Sequence, residues 1–363
     1  MKTLAYQIDK QAEKFLEKYL NNTSPTGYEE SGQRIWLDYL KPYIDTYEVG
    51  NYGTVTAIVN PEAPYKVVIE AHADEISWYV NYISSDGFIY VIRNGGSDHM
   101  IAPAMRVNLH TEKGLIDGVF GWPAIHLRRN KDEITPKVEN ITIDVGAKNK
   151  EEVLAMGIHV GTVVTFKDGF FQLNNRYYGG RALDNRIGGF MIAEVTRFLK
   201  SQKQKLPFGL YIVNAVQEEV GLRGAEMAVE RIKPDLAIIT DVCHDTSTPL
   251  IDAKTVGDTN CHEGPAIAYA PAVQNKVREL IIQAANKYQI PFQREASSRS
   301  TGTDTDAFAY GNGGTPSALI SLPLRYMHTT VEMVSKMDVE NCIKLIYASL
   351  LDINPQKSLK YIE

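Results

Sequence analysis

Glu218 and Glu219 stand side by side directly after the apolar run Leu210–Val216. Two adjacent carboxylates at the end of a buried strand are costly unless something cationic receives them. Other residues able to share such a cation follow comparable apolar runs. His72 and Asp74 follow Val67-Val68-Ile69-Glu70-Ala71, Asp241 follows Leu236-Ala237-Ile238-Ile239-Thr240, and His328 comes shortly after Ser317–Leu324. Asp184 lies in Arg181-Ala182-Leu183-Asp184-Asn185-Arg186. Open α/β sheets bind ligands beyond the carboxyl ends of their strands. Two histidines and several carboxylates gathered there suit a pair of divalent metal ions.

A carboxylate that bridges two ions must offer one oxygen to each, and Asp184 at a strand-to-helix turn suits that role. His72, Glu219, Asp241 and His328 then supply terminal ligands. Ions about 3.5–4 Å apart share a water, lower its pKa towards about 7 and polarise a carbonyl. Glu218 is next to a ligand but points elsewhere, which makes it the candidate general base. Asp74 is placed to fix the orientation and tautomer of the His72 imidazole. Water activation with carbonyl polarisation means hydrolysis of an amide or ester. Each residue alone also has an ordinary reading. A Glu-Glu pair commonly opens a solvated helix, and Asp184 is able to cap the helix that follows it. Convergence of the set is what favours chemistry. His99, His110, His126, His159, His244 and His262 lack that placement and read as structural.

The elements that must position these residues alternate between helix and strand. Leu4, Ile8, Ala12, Phe15, Leu16, Tyr19 and Leu20 repeat at helical spacing, and a second helix is expected over 29–40. Strands are expected over 54–59 and 66–71. From Trp78 to about Phe171 the texture becomes short β-type runs at 88–92, 106–110, 141–145 and 162–166, punctuated by Gly, Asn and Asp. That spacing predicts a small barrel or sandwich. Beyond Tyr177, helices over 186–199, 222–232, 272–288 and 339–351 alternate with apolar strands, as in a βαβ sheet. If His72 and Asp184 share a site, the β-rich stretch is an insertion: an α/β domain in two parts, 1–77 and 169–363, around a β-domain over 78–168.

The chain of 363 residues is long enough for about two domains, and its net charge of −6 is interspersed. Nothing suggests a nucleic-acid or membrane partner. Three cysteines without a CxxC pair fit a reducing compartment. A soluble, cytoplasmic protein is the expectation.

Four motifs resemble the M42 family of metallopeptidases, the glutamyl-aminopeptidase-like and TET aminopeptidases. They are Glu70-Ala71-His72-Ala73-Asp74-Glu75-Ile76, the Arg181–Arg186 segment, Gln217-Glu218-Glu219-Val220-Gly221-Leu222-Arg223-Gly224-Ala225, and Arg325-Tyr326-Met327-His328. They come in the family's order and span almost the whole chain. The resemblance implies a zinc-peptidase-like α/β/α sandwich with an inserted small PDZ-like β-domain. It implies that His72, Asp184 and Asp241 hold one metal ion and Asp184, Glu219 and His328 the other, with Glu218 as base and Asp74 steering His72. It implies zinc, with cobalt or manganese as alternatives, removal of N-terminal residues from peptide substrates, and a homo-oligomer such as a tetrahedral dodecamer.

The chain departs from the family at Ala73, where Met is common, and at Thr329-Thr330 in place of Ser-Pro. Its doubled Thr-Asp over 303–306 makes Asp306 the expected substrate-pocket residue. An M20-type carboxypeptidase, dipeptidase or deacylase is the alternative. Proteins of that type are expected to keep their first two ligand motifs close together, whereas Asp74 and Asp184 here are far apart. A glycosidase needs carboxyls on opposite sides of the scissile bond, which adjacent Glu218 and Glu219 do not provide. A non-catalytic peptide-binding scaffold would be favoured by a missing ligand or base, and none is missing.

Overall fold

In the computed structural model, which describes residues 4–128 and 134–362, the apolar runs join into one mixed sheet. The expected segment limits at residues 1 and 363 lie outside the described residues. Across the sheet the order is Thr46–Val49, Val55–Val59, Gly209–Ala215, Lys66–His72, Leu236–His244, Ser317–Arg325, Glu332–Ser335, Tyr177–Gly180 and Phe171–Leu173. Ala266–Tyr269 and Gln293–Ala296 branch from Ser317–Arg325. The four central strands, from Gly209–Ala215 to Ser317–Arg325, run parallel. They are buried on both faces, so they read as continuous apolar runs. Thr46–Val49 was not expected, because all four of its side chains are exposed and leave no apolar signal.

Helix Leu183–Ser201 lies along Lys66–His72, and helices Lys10–Asn21, Glu30–Leu40 and Lys336–Asp352 pack against it. Gly188 permits the close approach: a Cβ there would stand 2.9 Å from the Ala71 Cβ. The first helix starts later than its apolar repeat suggests. Asp9 caps it by accepting from the Ala12 amide at 2.9 Å, which fixes Lys10 as its first residue. Ala12, Phe15, Leu16, Tyr19 and Leu20 then form its buried stripe.

Between Lys66–His72 and Phe171–Leu173 the chain forms a closed six-stranded barrel. Trp78 on its first strand, Ser77–Ile83, pairs with Val164 on its last, Val163–Phe166. That closure decides for a barrel over a sandwich. Its own core includes Trp78, Val80, Val107, Leu109, Phe120 and Ile143, separate from the core of the large sheet. No helix among the described residues is long and apolar enough to cross a membrane. Cys243, Cys261 and Cys342 are buried and unpaired.

A buried ion cluster ties the start of helix Leu183–Ser201 to the loop after Lys66–His72. Arg181 is bonded to Glu75, and Arg186 Nη1 lies 3.6 Å from Glu75 Oε1. Arg186 is fully buried, donates to the Tyr19 and Asn22 carbonyls, and stacks 4.3 Å from the centre of the Tyr19 ring. Without Arg186 the Arg181–Glu75 pair would persist, but the Tyr19 and Asn22 carbonyls would lose their donor, at about 1–3 kcal/mol for each buried acceptor left unpaired. Arg186→Leu is therefore expected to lower stability by at least about 1 kcal/mol in denaturant unfolding. A smaller loss would show that these carbonyls do not depend on it.

Candidate metal centre

All the clustered side chains but Asp241 come from a strand end or the loop beyond it. His72 is the last residue of its strand, in register with Ala215. The neighbouring chain then turns at Gln217 (φ 58°), carries Glu218 and Glu219 around, and turns again at Leu222 (φ 62°) before helix Arg223–Ile232. Asp241 lies inside its strand and not just beyond it, as the apolar run suggested. Pairing with Ser317–Arg325 carries that strand on to His244. Asp184 sits at a distorted helix start after Ala182 (φ 60°), and Asn185 anchors that start by donating to the Thr240 carbonyl at 2.8 Å. His328 (φ 62°) lies in the loop after Arg325. Left-handed backbone at non-glycine residues is uncommon. Four such residues around one site show tertiary contacts overriding local preference.

Asp184 joins the two histidines. Its Oδ1 lies 3.2 Å from His72 Nε2 and its Oδ2 lies 3.2 Å from His328 Nε2. His72 Nε2 is also 3.9 Å from Asp241 Oδ1 and 3.9 Å from Glu218 Oε2, while His328 Nε2 is 3.5 Å from Glu219 Oε1. Donor atoms of His72, Asp184 and Asp241 lie within 4.8 Å of one another, as do those of Asp184, Glu219 and His328. A third such group, His72, Glu218 and Glu219, overlaps both.

Asp74 is fully buried under the cluster. It accepts from Thr26 Oγ1 at 2.9 Å and from the Glu218 and Glu219 amides at 3.0 and 3.2 Å. Its Oδ1 stands 3.4 Å from His72 Nδ1, an ion-pair distance without a well-formed hydrogen bond. Asp306 is not among the clustered groups; it lies in the first turn of helix Thr305–Tyr310 and accepts from the Thr301 and Gly302 amides of the preceding loop. Asp304, two positions earlier, is buried, and its charge reaches Glu70, Glu218 and Asp241.

Sequence reasoning missed Glu332. It is buried, and its carboxylate accepts from the His328 amide at 2.7 Å and from the Asp184 amide at 3.1 Å. One side chain thus holds the backbone of both residues. Nothing in Thr329-Thr330-Val331-Glu332 signals this, because the partners meet only in the folded chain. Thr26, which donates to Asp74, was missed for the same reason.

Carboxylates outnumber positive charges here. Burial, then Asp304, Asp241 and Glu219, push Glu218 up to about 10 against the pull of His72. Burial, with Asp184 and Asp304 adding to it, raises Asp241 well above the usual carboxylate range. The imidazoles respond oppositely. Burial disfavours a charged His72, yet Glu218, Asp184, Asp74 and Asp241 hold its pKa far above the ordinary value. His328 resists burial in the same way and is pushed up to about 11 by Asp184 and Glu219. Burial would raise Asp184, but His328 and His72 hold it below the usual range. The mixed oxygen and imidazole donors fit divalent zinc, cobalt or manganese.

The sequence pattern of the M42 glutamyl aminopeptidase family matches residues 53–345. A lysyl aminopeptidase of Pyrococcus furiosus is 35% identical over 94% of this chain and 97% of its own length. The fold is similar to the crystal structure of a TET aminopeptidase from a marine-sediment Thaumarchaeota archaeon (TM-score 0.88, 29% identity, 93% of this chain and 95% of that one). It is also similar to the Pyrococcus horikoshii TET1 peptidase, which can assemble into a tetrahedron or a large octahedral shell (TM-score 0.81, 28% identity, 93% and 98%).

A divalent cation must displace the imidazole protons to bind. Adding Zn²⁺ to metal-free protein at neutral pH is expected to release about one proton or more per ion. Titration calorimetry in two buffers of different ionisation enthalpy reads this directly. Affinity is expected to fall as pH falls, because the protonated imidazoles compete with the metal. A buffer-independent binding heat would overturn this account.

Proposed function

The chain belongs to the M42 glutamyl aminopeptidase family and is a peptide hydrolase, and we propose that it removes N-terminal residues from peptides with the help of two divalent metal ions. The observation that carries this reading is the placement of Asp184, whose two carboxylate oxygens each face a different histidine at 3.2 Å. His72, Asp184 and Asp241 would hold one ion, and Asp184, Glu219 and His328 the other. When bound, the ions lower the pKa of a water and polarise the scissile carbonyl.

The remaining work falls to the protein's own side chains. Glu218 borders both donor groups, and its Oε2 faces His72 Nε2 at 3.9 Å. It takes the proton of the attacking water on a carboxylate oxygen and delivers it to the departing amine. Its buried place beside both donor groups would let one carboxylate oxygen hold that proton between the two transfers. Asp74 sets the His72 ring and fastens the Glu218-Glu219 turn through two main-chain amides, so that base and ligand keep one geometry. We propose further that the barrel over 78–168 is an inserted, PDZ-like domain within an α/β/α sandwich. The assemblies of the TET1 peptidase support a homo-oligomer for this chain as well.

Metal analysis combined with a panel of aminoacyl-p-nitroanilides tests the reading, with lysyl, glutamyl and leucyl members first. About two ions per chain and chelator-sensitive release from part of the panel are the expected result. Two ions with cleavage only of N-acyl or C-terminal substrates would transfer the protein to the deacylases and carboxypeptidases. Glu218→Gln is expected to keep both ions and lose about 10²–10⁴-fold in turnover. Loss of metal from that variant would make Glu218 a ligand. Asp184→Ala is expected to strip both sites in the same metal analysis, and retention of two tight ions would remove its bridging role.

A further inference from the structure

The barrel meets the proposed metal centre at a short segment, Asn94 to Ser97, at the end of strand Ile89–Asn94, and its Phe166 lines the same cleft. Gly96 lies against the Nδ1–Cε1 edge of the His328 imidazole. A Cβ on Gly96 would stand 2.5 Å from His328 Nδ1 and 2.6 Å from its Cε1, closer than real carbon contacts allow. Gly95 (φ 79°) stands over the next ligand along, where a Cβ would come 3.2 Å from the Glu219 Cβ and 3.1 Å from Ile76 Cγ2. Two consecutive glycines thus give the barrel a bare backbone face against two of the proposed ligands.

The flanking residues fix this face in place. Asn94 is buried and donates from Nδ2 to the Thr26 carbonyl at 3.0 Å and to Ser77 Oγ at 2.8 Å. Ser97 is buried and donates to the Ser77 carbonyl at 2.6 Å. Thr26 in turn donates to Asp74, the carboxylate beneath His72. The same segment therefore touches the His328 side of the centre directly and reaches the His72 side through Thr26 and Asp74.

We propose that the Asn94–Ser97 segment is a positioning element of the metal centre, with the Gly96 backbone setting where the His328 ring stands, so that barrel placement and metal affinity are linked. This rests on the two-metal reading given above. His328 Nε2 must point at Asp184 and Glu219 to serve as a ligand. The ring has solvent on one side and is 31% exposed, so a backstop is needed to keep it from turning outward. A methyl group on Gly96 would occupy the ring's own position and turn Nε2 away from its partners.

The test compares the full chain with Gly96→Ala and with Gly121→Ala, a barrel glycine whose Cβ would meet nothing within 4 Å. Each is equilibrated in buffered free Zn²⁺ and its metal content measured, with the Co²⁺ absorption spectrum as a second readout. Wild type and Gly121→Ala are expected to hold two ions. Gly96→Ala is expected to bind one of them at least ten-fold more weakly, with an altered Co²⁺ spectrum. Two ions at wild-type affinity in Gly96→Ala would overturn the inference, whereas a wild type that binds no metal would instead sink the two-metal reading beneath it. Should Gly96→Ala destabilise the metal-free chain, the loss must disappear in a His328→Ala background, where the added methyl has room. A loss that persists there would also overturn the inference.

Discussion

Negative charge held out of water is the constraint on which the rest of this structure depends. Asp74, Asp184 and Asp241 are buried with His72, and Glu218, Glu219 and His328 close the cluster from partly exposed loops. The crowded carboxylates hold both imidazole pKa values far above the ordinary value, and burial raises those of Glu218 and Asp241. A chain gains nothing in stability from such an arrangement. Its value lies in poise. The groups that would bind a cation already face one another, so little reorganisation is left for the moment of binding.

Holding that arrangement requires more than the groups themselves. The parallel strands bring His72 level with Ala215, and the ladder that pairs Ile239 with Glu70 leads Asp241 to within 3.9 Å of His72 Nε2. The loops carrying the other groups are held by main-chain hydrogen bonds to buried carboxylates. Asp74 takes the amides of Glu218 and Glu219, and Glu332 takes those of Asp184 and His328. Glu332 thus grips two segments distant in sequence, and Asp74 ties the Glu218-Glu219 turn to the Thr26 loop. The positive φ values at Ala182, Gln217, Leu222 and His328 mark where the local backbone yields to these grips.

The barrel adds a second layer of constraint. Its core is separate from that of the large sheet, yet its Asn94–Ser97 segment lies against Glu219 and His328. A contact so close to the site gives the barrel a bearing on chemistry, whatever else its surface contributes.

Much of this was legible before the fold. Buried parallel strands carry continuous apolar runs, so the residues that follow them stand out, and His72, Glu218, Glu219 and His328 were found in that way. Asp184 was found by its turn, and Asp241 by its run, although the strand continues past it. The β-rich texture after Trp78 marked the barrel because short strands with Gly and Asn turns leave a local signature. Glu332, Thr26 and Gly96 left none, and the doubled Thr-Asp that pointed to Asp306 left Asp304, the one whose charge reaches the cluster, unchosen. Sequence alone determined which side chains carry the donor atoms, because chemical type and apolar periodicity are properties of short stretches. The tertiary structure alone decided that Asp184 faces both histidines, that Glu332 holds two distant amides, and that a barrel glycine backs His328. Those relations exist only when ladder register and loop packing bring remote segments within a few ångströms of one another.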